Sequence, residues 1–189
     1  ESIPVAVDRE GIDIDDGCRL APMASLAIVT PSVHFPTGMR MSEARRRRLM
    51  DWASSSNSWI LEIDHTSEFP FGQPQSQPMA AMSGAKRVIY FDTFGKLLFP
   101  SLRLAFLIVP REALARMRET RNNFDRPPGV PNQIILADFL ASGQFAKHLR
   151  RCREAYAERR DALVGALRRE CGDLASIDEP QHGLHRIMG

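Results

Sequence analysis

Long apolar runs are missing from this 189-residue chain, and nothing in it approaches the roughly 20 consecutive apolar residues of a membrane-spanning helix. No opening segment has the composition of a secretory signal. Cysteine is scarce: Cys18, Cys152 and Cys171 form an odd, scattered trio. That spacing excludes a disulfide framework and a cysteine metal site, and points to free thiols in a reducing cytoplasm. Charge of one sign is also lacking, since a net +2 is too small to argue for nucleic acid by itself. Lysine is the least expected absence. Of 25 basic residues only Lys86, Lys96 and Lys147 are lysines, so the ordinary surface charge is written as arginine. What is present, 43% hydrophobic and 25% charged residues, reads as a globular chain with enough length for one domain and part of another.

One of the three lysines stands in an apolar stretch, Asp92-Thr93-Phe94-Gly95-Lys96-Leu97-Leu98-Phe99-Pro100-Ser101-Leu102-Arg103, between strand-like runs at 87–91 and 102–109. Desolvation by Phe94, Leu97 and Phe99 would make its amine a usable nucleophile. A surface lysine with its stem along the turn and its ammonium in water is the plainer alternative. Thr93 and Arg103 add a hydroxyl and a guanidinium, which together suit a phosphate. A Schiff-base lysine beside a phosphate cup is what pyridoxal phosphate requires.

This stretch resembles the lysine motif of fold-type I aminotransferases, and specifically of the MocR/GabR-type regulators, which join a winged-helix DNA-binding domain to an aminotransferase-like domain. Residues 29–38, VTPSVHFPTG, are similar to that family's "TPSHQFPTG" segment, and residues 59–69, WILEIDHTSEF, to its "WIIEDDYDSEF" strand end. Residues 143–151 resemble the start of its interdomain helix, and Gly183-Leu184-His185 a strand of its small domain. The resemblance implies an α/β fold: part of a large domain over 1–143, with a mostly parallel sheet and helices on both faces. It also implies an interdomain helix and the beginning of a truncated small domain over 144–189.

The order of elements agrees. Residues 3–7 read as a strand that opens the chain at Glu1, as a fragment would. Residues 11–25 read as irregular structure or a short helix. Residues 25–30 read as a buried parallel strand. Ser42 is placed to cap a helix to about Ala53, with Arg45 to Arg48 on it either as a solvated face or as a phosphate patch. Strands follow at 59–63, 87–91 and 102–109, then helices over 111–121, 132–141 and 145–169. In such sheets ligands bind beyond the carboxyl ends of the strands, where His34, His65 and Lys96 fall.

The resemblance implies pyridoxal 5'-phosphate as cofactor, Lys96 as its Schiff-base residue, and Thr93 and Arg103 on its phosphate. It breaks at one place. The family's aspartate against the pyridine nitrogen aligns with Ile63, and its ring tyrosine with His65. Asp64 takes over only if the strand slips, because successive side chains face opposite sides and Asp64 shares its face with Glu62. Asp64 and His65 are therefore the candidates for the ring. Three readings stay open: an effector-sensing domain of a regulator with weak or no turnover, a genuine aminotransferase acting on an amino acid, and a remnant without cofactor. An amino acid or amine as ligand, a homodimer, and DNA contact only through a domain absent from this chain are implied with them.

Overall fold

The computed structural model of the chain describes residues 1–35, 37–64, 67–70, 76–124 and 129–172. A two-stranded antiparallel ribbon, β1 (Val7–Asp8) and β2 (Gly11–Ile12), leads into α1 (Ile14–Leu20). Asp13 caps α1 by accepting from the amides of Asp15 and Asp16. Then come β3 (Leu26–Val29), α2 (Glu43–Ser55), β4 (Trp59–Asp64), β5 (Val88–Thr93) and β6 (Ala105–Ile108). These strands form one sheet in the order β3-β4-β5-β6, parallel as far as β5 and antiparallel at β6. Helices α3 (Arg111–Phe124), α4 (Val130–Ala141) and α5 (Gln144–Cys171) complete the described chain.

The expected mostly parallel α/β sheet is what forms, with local corrections; the strand expected over 102–109 is β6 at Ala105–Ile108, because Pro100–Leu102 makes a 3-10 turn and Arg103 is left-handed. Residues 3–6 are not strand, because among the described residues no ladder partner lies beside them; pairing begins only at Val7. β3 is parallel to β4 but buried on one face only: Val29 is 5% exposed and joins the core, while Leu26 and Ile28 on the opposite face of this edge strand are 45% and 58% exposed. The small-domain strand expected around Gly183 lies outside the described residues.

α2 shows why the core sits where it does. Ser42 Oγ accepts from the Arg45 amide at 3.3 Å and starts the helix. Arg46, Leu49, Met50 and Ala53 then fall at i, i+3, i+4 and i+7 and are the helix's buried residues. They meet Val29, Ile60 and Val88 from the sheet. Each such aliphatic side chain contributes roughly 1.5–3 kcal/mol on burial.

The arginine run is not one solvated face. Arg46 is 4% exposed; its guanidinium donates to the carbonyls of Pro31 (2.7 Å), Gln77 (2.8 Å) and Met41 (3.1 Å) and to Ser76 Oγ (3.1 Å). Arg45 clasps Asp8, Arg47 pairs with Glu43 within the helix, and Arg48 reaches Asp15 on α1. Glu62, fully buried on β4, accepts from the amides of Met79 (2.8 Å) and Ala80 (2.9 Å). Burial raises the Glu62 carboxyl above its usual range, and those two amides and Arg46 oppose the rise.

Removing Arg46 leaves buried carbonyls unpaired, each costing about 1–3 kcal/mol. Arg46→Leu is expected to lower stability by about 3 kcal/mol or more in urea titration, while Arg47→Ala stays within about 0.5 kcal/mol. Equal losses for the two would show that Arg46 is not structural.

Candidate functional site

The site begins with the alternation of β4 and β5. Ile60, Glu62 and Asp64 are buried, and Leu61 and Ile63 lie half-buried on the other face. Val88, Tyr90 and Asp92 repeat the pattern in β5, with Thr93 on the half-buried side. The parallel register pairs Ile63 with Phe91 and Asp64 with Asp92, so both strands end level.

Lys96 follows in a turn built by its neighbours. The Thr93 hydroxyl donates to the Leu104 carbonyl and accepts from the Gly95 amide, both at 3.1 Å. The Leu98 amide donates back to the Phe94 carbonyl at 2.8 Å, closing one tight loop. Leu97 turns inward at 6% exposure while Phe99 stays 51% exposed. The apolar enclosure expected around Lys96 does not form; Lys96 is exposed. A 3-10 turn over Pro100–Leu102 then brings in Arg103, exposed and in the left-handed region at φ 52°. Non-glycine residues held there cost about 1 kcal/mol and cluster at functional sites. Among the described residues the Arg103 guanidinium has no ion pair.

Lys96 and Ile63 line the same open groove, of about 1290 Å³, along the β3 edge, together with Leu26, Ile28, His34 and Phe35. His34 Nδ1 lies 2.9 Å from Thr37 Oγ1, and burial lowers the imidazole's pKa below its ordinary value. Asp64 is placed differently. At 2% exposure it accepts from the Tyr90 hydroxyl (3.2 Å) and the Ser67 amide (3.1 Å), on the face away from Ile63. No slip of β4 turns it round, so the ring contact expected of Asp64 has no support in this geometry. His65 lies outside the described residues.

One residue that sequence reasoning passed over is Asp92. Its buried carboxylate accepts from the Thr93 amide at 2.6 Å and ends the strand level with Asp64. Burial pushes its pKa up to about 7, with Asp64 and Glu68 adding to the rise and Lys96 opposing it. Burial, Asp64 and Asp92 raise the Tyr90 phenol as well. The available signal was the period of two through Val88 and Tyr90, which puts Asp92 in line with core positions. Two contacts of α5 were also missed: His148 Nε2 lies 2.9 Å from the Leu97 carbonyl, and Arg153 donates to the Glu68 carbonyl at 2.7 Å.

Comparison with known proteins follows the same outline. Residues 4–186 match the family model described as aminotransferase class I and II. The chain is 38% identical over 188 residues to the probable rhizopine catabolism regulatory protein MocR of Rhizobium meliloti, covering 98% of this chain and 37% of that protein. It is 35% identical over 185 residues to the uncharacterized HTH-type transcriptional regulator YhdI of Bacillus subtilis, covering 98% of this chain and 39% of that protein. It therefore spans about two fifths of the length of these curated relatives. Among solved structures it resembles the α-aminoadipate aminotransferase LysN of Thermus thermophilus, with a TM-score of 0.81, 28% identity, and coverage of 96% and 48% of the two chains. A kynurenine aminotransferase of Pyrococcus horikoshii, at TM-score 0.83 and 24% identity over 96% and 46% of the two chains, shows the shared fold.

The raised pKa of Asp92 has a sign that can be checked. Because the folded state favours the protonated carboxyl, this group's contribution is fullest below about pH 4 and declines as pH rises through about 7. Asp92→Asn carries no charge to desolvate and is expected to gain on the parent across that window. One pKa unit is about 1.4 kcal/mol, so the gain by pH 8 is a few kcal/mol. Urea titrations at pH 5 and pH 8 measure it; an unchanged gap would mean that Asp92 ionises as it does in water.

Proposed function

We propose that this chain, which belongs to the aminotransferase class I and II family, is a pyridoxal-phosphate-binding, effector-sensing unit of a MocR-type transcriptional regulator. It works with weak or no turnover. The observation that carries the reading is the pairing, in one groove, of an exposed lysine with an isoleucine at the strand end. The amine that captures an aldehyde is kept, and the partner that would charge a pyridine ring is not.

Fit can be judged residue by residue. When bound, pyridoxal phosphate supplies an aldehyde that takes up primary amines and a ring that accepts the electrons of an adjacent carbanion. Lys96 meets the first requirement, its amine being accessible from the groove. Arg103 suits the phosphate, because its guanidinium takes no ion pair among the described residues and it follows the lysine turn at the end of the Pro100–Leu102 turn. Thr93 was expected on the phosphate, but its proton is donated to Leu104 and its oxygen takes the Gly95 amide. Its larger role is to shape the turn, with one acceptor position left over. Ile63 offers neither charge nor hydrogen bond to a ring nitrogen. Asp64 is held on the other face by Tyr90. The site therefore retains capture and orientation while the residue that would favour turnover is replaced.

The rest of the reading follows with it. The ligand is a small amine or amino acid, the assembly is a homodimer, and DNA is contacted through a domain other than this one. The three cysteines are free thiols, which suits a cytoplasmic protein. No described helix is long and apolar enough to cross a membrane. The division into a partial large domain over 1–143 and an interdomain helix with the start of a small domain over 144–189 agrees with α5 beginning at Gln144. The second reading is an aminotransferase that turns over, favoured by the 28% identity to a solved aminotransferase and opposed by Ile63.

The test is the visible spectrum of the protein with added pyridoxal phosphate, before and after borohydride. An absorption band that borohydride fixes covalently is expected in the parent and should vanish in Lys96→Ala. Arg103→Gln should weaken cofactor binding about tenfold or more, the scale of one charged hydrogen bond. Ile63→Asp should raise the rate of half-transamination with amino acids about tenfold or more. No band in the parent would leave the lysine motif as ancestry, and fast turnover in the parent would favour the enzyme.

A further inference from the structure

One face of α5 touches both loops of the site. At positions 145, 148, 149, 152, 153 and 156 it presents Phe145, His148, Leu149, Cys152, Arg153 and Tyr156, spaced as one helical stripe. Toward the lysine turn, His148 donates from Nε2 to the carbonyl of Leu97, the residue after Lys96, at 2.9 Å. Cys152 Sγ lies 3.3 Å from that same nitrogen, and the Phe145 ring meets Phe94 edge-on at 6.0 Å. Toward the loop after β4, Arg153 takes the Glu68 carbonyl through Nε and its carboxylate through Nη2, both at 2.7 Å. One turn further on, Tyr156 packs edge-on against Phe69 at 5.1 Å. Phe69, Leu97 and Leu149 are buried together between these two clasps at 1%, 6% and 7% exposure.

The two loops carry the two halves of the chemistry. The β5 turn holds Lys96 and Arg103, and the β4 loop leaves from Ile63 and Asp64. Both loops are fastened to the same helix. A shift of α5 must therefore move both loops or break a clasp.

We propose that α5 is the element through which occupancy of the Lys96 site is communicated, and that His148 and Arg153 are its positioning residues. This rests on the cofactor reading above. His148 holds the Leu97 carbonyl and so sets the backbone that aims Lys96. Arg153 holds Glu68 and so sets the loop that follows Ile63 and Asp64. Coupling is reciprocal: whatever fixes Lys96 must also fix α5, and whatever displaces α5 must alter capture at Lys96. Leu149 and Phe69 between the clasps make the contact stiff, because a packed core does not deform continuously.

The experiment measures hydrogen exchange of the Gly95–Leu98 amides and of α5 by mass spectrometry, with and without pyridoxal phosphate. The rate of borohydride-trapped capture at Lys96 is measured beside it. His148→Phe keeps an aromatic ring and removes the donor; His148→Gln restores an N–H. His148→Phe is expected to speed exchange at Gly95–Leu98 and to slow capture about tenfold, with His148→Gln within about twofold of the parent. Arg153→Met should loosen the 67–69 amides in the same way. Added pyridoxal phosphate should protect α5 amides around His148–Tyr156 in the parent and not in Lys96→Ala. The proposal is overturned if His148→Phe exchanges and captures like the parent, if His148→Gln behaves like His148→Phe, or if capture leaves α5 exchange unchanged. Failure of the cofactor reading is separate and visible, since then the parent itself captures nothing while the exchange effect of His148→Phe without cofactor still reports on the clasp.

Discussion

The parallel register between β4 and β5 is the constraint from which the rest of the site follows. Pairing Ile60 with Val88 and Asp64 with Asp92 brings the two strands to the same height. Ile63 near the end of β4 and Lys96 in the turn after β5 thus come to line one groove. The same register sets two carboxylates level in the core, and the crowding contributes to the raised pKa of Asp92. A parallel pair must cross back over the sheet between its strands. Here the returning segment from β4 to β5 passes Met79 and Ala80, whose amides close on the carboxylate of Glu62.

Buried charge elsewhere serves the scaffold rather than the chemistry. Arg46 gathers carbonyls from the β3 exit, the start of α2 and the segment before Met79, three pieces of chain that also place Val29, Met41 and Met79 in the core. A guanidinium suits that task because its planar fork donates in several directions at once. The cost of desolvating it is offset only while every acceptor stays in place. The candidate site is built with the opposite economy: Lys96 and Arg103 are exposed and shaped by the turn that carries them.

Much of this was legible in the residues. Ser42 as a cap, the helical stripe of α2 and the succession of strands and helices along the chain follow from local rules that need no partner. The alternation of β4 was equally plain, and it separates Ile63 from Asp64 without reference to anything distant. The lysine motif marked the site because lysine is so rare here. Other features resisted. Arg46 occupies the first position of the buried stripe, but arginine at a buried position is uncommon, and its acceptors lie up to 31 residues away. The pairing of Arg153 with Glu68 spans 85 residues.

By itself, the sequence determined the elements, their order and the chemistry each strand end carries, because helix caps, side-chain periods and residue types act over a few positions. Tertiary structure decided which of those groups are available. Lys96 stands among Phe94, Leu97 and Phe99 in sequence, yet a turn sends neighbouring side chains in different directions, so that Leu97 enters the core and Lys96 meets the groove. Thr93 was free in sequence and is bound to Leu104 in the fold. The clasp of α5 on both loops exists only because the chain returns, 51 residues after Leu97, to the same place.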